Sequence, residues 1–163
     1  MKNITLILFL ILGLATGCSS DEDDKAGVNS SIVIDGINFK PNKATYSYEE
    51  ASFETQKRVR FVINNEGKQE YLYIDISFPA SQKNLTGEYS FGPGTADELL
   101  VMAEFYAPEK RYYIVGYSLK ITDKGDSNFD FEFVSPEAYD GIKNVKVPFE
   151  GELHGKIVME QTK

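Results

Sequence analysis

His154 is the only histidine in this chain of 163 residues, and it alternates with Glu150 and Glu152. An imidazole with two carboxylates is the donor set of a zinc site. Alternate residues of one strand lie about 6.8 Å apart, too far for three of them to meet one ion without strain. No other histidine completes the set. A second candidate is the crowd of oxygen donors Asp123, Asp126, Asn128 and Asp130. Closely spaced oxygens suit calcium. Their order departs from an EF-hand loop, however, and Asp, Asn and Gly are the ordinary vocabulary of a turn. The cluster reads first as a hairpin turn and only second as a calcium candidate. No serine sits in a Gly-x-Ser-x-Gly elbow, and no glycine-rich phosphate loop is present. Any two of the 25 acids could face each other as a glycosidase pair, and the sequence singles out none. The expectation is a protein that is not an enzyme, with no cofactor and no transition metal.

Tyrosine is the residue type that remains suggestive. Tyr71 and Tyr73 alternate with Leu72 and Ile74, and Arg111-Tyr112 opens a second run rich on both faces. Strands apolar on both faces are commonly central in a packed sheet, so a second core layer is the first reading. The alternative is a binding face made of Tyr71, Tyr73, Arg111 and Tyr112, with rings for stacking and hydroxyls for bonding. The absence of tryptophan weakens a sugar platform.

The elements that position these residues follow a period of two. Tyr71–Phe78 and Arg58–Ile63 alternate cleanly, with Asn64-Asn65-Glu66-Gly67 between them, which predicts an antiparallel hairpin. Phe129–Val134 and Val145–His154 alternate as well, Pro148 marking an edge or bulge in the latter. Further strands are expected at Ser31–Ile34, Ile37–Lys40, Ala44–Glu49, Gly87–Phe91, Leu100–Tyr106 and Tyr112–Thr122. The stretch Thr95–Ala103 could wind one or two helical turns. Turn signals at Asp35-Gly36, Pro93-Gly94, Lys124-Gly125 and Asp140-Gly141 separate the runs. The expected fold is all-β: one antiparallel β-sandwich or β-barrel-like domain of nine or ten strands over residues 31–160. Its core should hold Leu72, Ile74, Ile76, Val115, Leu119, Phe131 and Phe149.

Ahead of that domain, Lys2 precedes an apolar run from Ile4 to Leu14, followed by Ala15-Thr16-Gly17 and the chain's one cysteine, Cys18. The run is too short to span a membrane and has the layout of a signal peptide, residues 1–17. The cleavage region resembles the lipobox of bacterial lipoproteins, although Ala15 stands where that pattern usually has leucine. The resemblance implies a lipidated Cys18 and a membrane partner held through it. Residues 18–30 would then form an acidic tether that spans on the order of 20 Å as a flexible chain. Its Asp21-Glu22-Asp23-Asp24 run resembles the acidic export tag of Bacteroidota-type lipoproteins, which implies the outer membrane and exposure on the cell surface.

The domain itself is similar to the small all-β lipoproteins of Bacteroidota, a largely uncharacterised group. The similarity rests on Ile34-Asp35-Gly36, Gly87-Glu88-Tyr89 and Phe149-Glu150-Gly151, short motifs that imply a fold class and no catalytic residue. A net charge of −8 argues against nucleic acid, whose phosphates need a basic surface. Two functions remain. One is a tethered binding module for a surface protein, peptide or glycan. The other is a lipocalin-like carrier of a small apolar ligand.

Overall fold

The computed structural model describes residues 27–49, 54–95 and 97–160. The expected signal peptide, Cys18 and the acidic run lie outside the described residues. Within them the fold is all-β. The first eight strands are β1 (Val28–Ser30), β2 (Val33–Ile34), β3 (Ile37–Asn38), β4 (Lys43–Glu49), β5 (Gln56–Asn65), β6 (Glu70–Pro79), β7 (Gly87–Phe91) and β8 (Leu100–Ala107). The remainder are β9 (Lys110–Val115), β10 (Ser118–Asp123), β11 (Asn128–Val134), β12 (Glu137–Asp140), β13 (Val145–Val147), β14 (Phe149–Glu150), β15 (Glu152–Lys156) and β16 (Val158–Met159). β1 lies inside the segment expected as tether, so its three residues belong to the sheet.

The β5–β6 hairpin is the longest pairing, in register from Gln56↔Pro79 to Asn65↔Glu70. Pleating sends Val59, Phe61, Ile63, Leu72, Ile74 and Ile76 to one side, where each is fully buried. Around this hairpin the main sheet runs in the order β1-β15-β11-β10-β7-β8-β6-β5-β4-β16. The sheet forks at β8. One edge of that strand pairs with β6, whereas the other takes β7 at its start and β9 further along, with β12 and β13 beyond β9.

The sheet curls so that opposite walls share a core. Phe61 of β5 meets Phe131 of β11 with ring centroids 5.0 Å apart, and Tyr46 of β4 meets Phe129 at 5.4 Å. One stretch of chain then bridges the two ends. β15 pairs with β11 and β1, and after buried Ile157 the same chain pairs in parallel with β4 as β16. A small second sheet, β14-β2-β3, packs beside the first. Its hairpin turns at Asp35-Gly36 with φ of 49° and 76°, the doubly left-handed geometry that suits a two-residue turn between twisted strands. Phe39 beyond that hairpin reaches Phe105 at 5.2 Å, and Phe149 reaches Phe133 at 5.1 Å.

Several details differ from the sequence expectation, each for a physical reason. The run Tyr112–Thr122 is two strands, because the chain breaks at Gly116-Tyr117, where the Tyr117 amide bonds the Val134 carbonyl. The break reverses the parity of the pleat. Tyr112 and Ile114 point inward in β9, then Leu119 and Ile121 in β10, and Val115 is left 36 % exposed rather than in the core. Val145–His154 is three strands, cut at Pro148 and at Gly151. At Gly151, φ is +124° and a Cβ would come within 2.5 Å of the Ser31 carbonyl oxygen. Phe149 is accordingly half-buried at the margin of the core. Strand begins at Leu100, within the stretch considered for helix. The sheet is also not wholly antiparallel, since β7–β8 and β4–β16 pair in parallel.

Candidate functional site

Five neighbouring strands, β5, β6, β8, β9 and β12, present one outer wall, and their registers arrange its side chains in rows. The first row is Tyr71, Tyr106 and Arg111. The second is Tyr73, Glu104, Tyr113 and Tyr139. The third begins Arg60, Asp75, Met102 and, by continuation of the same register, ends Val115 and Glu137. Each of these residues alternates with a core residue, which is why it faces outward.

Within the wall the rings and guanidinium groups contact one another. Tyr71 and Tyr73 stack with centroids 6.3 Å apart and planes 14° from parallel, and Tyr106 meets Tyr73 edge-on at 5.6 Å. The Arg111 guanidinium lies 5.3 Å from the Tyr106 centroid and 4.7 Å from that of Tyr113, within cation–π range. Arg111 Nη2 donates to both oxygens of Glu104 at 3.0 Å, and the Tyr106 hydroxyl donates to the same carboxylate. Burial, together with that bond to Glu104, pushes the Tyr106 phenol up to about 12. On the next row Arg60 grips Asp75 with Nε at 2.8 Å and Nη2 at 3.0 Å, while Arg58 adds a contact at 3.3 Å. Asp75 and Glu104 are thus held by their own neighbours, and the wall's third acid, Glu137, is held by Lys146 and by the Tyr139 hydroxyl, which donates at 3.1 Å. Guanidinium N–H groups and the Tyr71, Tyr73 and Tyr113 rings are what the wall offers outward.

Two shallow grooves meet on this wall. One of about 480 Å³ is lined by Arg58, Arg60, Tyr73, Asp75, Met102, Glu104 and Tyr106. The other, about 610 Å³, shares Tyr73 and Tyr106 and runs on to Tyr71, Gln69 and Pro108.

The opposite wall is chemically different. Contact between Phe61 and Phe131 inside means that the outer faces of β5 and β11 look in opposite directions. The rows on that far side are Glu88, Lys120, Glu132, Glu152 and, beside them, Thr122, Asp130, His154, Asn29. These rows carry charges and hydroxyls and no ring other than the imidazole. By contrast, all three arginines of the chain and five of its ten tyrosines stand on the first wall.

The structure therefore brings Tyr71, Tyr73 and Arg111 of the expected face together and separates Tyr112 from them. Tyr112 is fully buried, points to the interior, and donates its hydroxyl to Asp35 at 2.7 Å. That bond and the Lys110 ammonium hold the Asp35 carboxyl below its ordinary value. Sequence reasoning missed Tyr106, Tyr113, Tyr139, Arg58, Arg60 and Met102. Strict alternation marked the outward side of β5 and β8 but did not say that the two would be neighbours of β6.

The oxygen-rich turn has internal uses for its groups. Asp123 Oδ1 accepts the Gly125 amide at 3.0 Å, Asn128 Nδ2 donates to the Asp126 carbonyl at 3.4 Å, and Asp130 pairs with Lys124. Glu152 shares β15 with His154, but Gly151 puts Glu150 in the small sheet, so the three do not lie on one strand. Among the described residues no three His, Cys, Asp or Glu side chains converge as metal ligands would. The interior is occupied by rings, with Phe39, Phe105 and Tyr112 joining those already named. No family model, curated protein or solved structure matches the chain.

Proposed function

We propose that the protein is an interaction module, lipid-anchored at Cys18 to the outer membrane and exposed on the cell surface, that works by binding through its tyrosine–arginine wall and not by catalysis. The supporting observation is the asymmetry between the two outer walls. Tyr and Arg, with Met, are the residue types enriched where proteins are recognised, whereas Lys and Glu are depleted there. One wall of this domain concentrates the first set and the other the second. An apolar side chain on the tyrosine–arginine wall, Met102, is 61 % exposed. The carrier reading loses ground because rings fill the space between the walls where a ligand would lie.

The anchor and the wall are tested separately. Protease added to intact cells should remove the domain, and Cys18→Ala should release it to the soluble fraction. A variant with Asp21–Asp24 neutralised should stay anchored yet become protected, and continued exposure of that variant would sink the export reading. For the wall, Tyr71→Ser with Tyr73→Ser should reduce capture of crosslinked neighbours while leaving the melting temperature within a few degrees. A large loss of stability would instead return both rings to a structural role.

A further inference from the structure

We draw no further inference here: the strongest candidate, the outer face of β5, β6, β8, β9 and β12 with its two shallow grooves along Tyr71, Tyr73 and Tyr106, has its charged groups paired within the chain, Arg60 with Asp75, Arg111 with Glu104 and Glu137 with Lys146, and nothing in the structure shows what covers it.

Discussion

Tyr112→Phe tests whether a single hydroxyl pins the small sheet to the large one. Tyr112 is fully buried in β9, and its hydroxyl donates at 2.7 Å to Asp35, which sits in the β2–β3 turn. Replacement by Phe keeps the ring and its contact with Phe105 and removes only the bond. Hydrogen bonds to charged groups contribute about 1.5–3 kcal/mol. Here the Asp35 side chain is 36 % exposed and keeps Lys110 as a partner at 3.2 Å, so water and the ammonium recover part of the loss. The expected cost is about 1–1.5 kcal/mol, or roughly 2–5 °C in melting temperature for a domain of this size. Urea unfolding should show the midpoint falling with the slope unchanged. The pH dependence gives the argument its sign. The Asp35 carboxyl is held below its usual 3.8, first by Tyr112 and then by Lys110. Its contribution is therefore present above that value and is lost as pH falls through the depressed folded value. The Tyr112→Phe penalty should be full at pH 7 and shrink below about pH 3.8, and the Asp35 titration followed by carboxyl NMR should move upward in the variant. A cost under about 0.3 kcal/mol at pH 7, or one that persists unchanged in acid, would refute the reasoning.

Two further substitutions test the pleat. Ile74→Ala, at a fully buried position facing the opposite wall, should cost about 2–5 kcal/mol in urea unfolding; Val115→Ala, from the exposed side of the neighbouring sheet region, should cost less than about 0.5 kcal/mol. Gly151→Ala should destabilise by more than about 1–3 kcal/mol of backbone strain alone, because φ there is +124° and the new Cβ would meet the Ser31 carbonyl. A melting temperature equal to the parent's would mean that the β14–β15 junction is built differently.

The parts of this fold that were legible from sequence are those in which alternation and turn chemistry agree over one hairpin. β5 and β6 satisfy both, and so does the Asp35-Gly36 turn. Errors arose where the chain breaks without interrupting its composition. Val115 and Leu119 look like steps of one strand because both are aliphatic, and only the stop at Gly116-Tyr117 sends them to opposite faces. Tyr112 matches Tyr71 and Tyr73 in composition alone, whereas it is Tyr113 that shares their side. The candidate wall was only half legible. Alternation says that Tyr106 and Arg60 face outward, but their assembly with Tyr73 depends on β6 lying between β5 and β8. That order is decided by pairings among strands distant in the chain.

The bridging of the main sheet by β15 and β16 has a bearing on when this protein can fold. β4 pairs at once with β5, but its other edge waits for β16 and β1 waits for β15, the last two strands of the sheet. Long-range pairings of this kind fold slowly, on the order of milliseconds to seconds, because loop entropy is lost before the contacts form. Until its last strand emerges, the chain has no finished barrel-like wall. β15 and β16 thus act as the final clasp of the sheet.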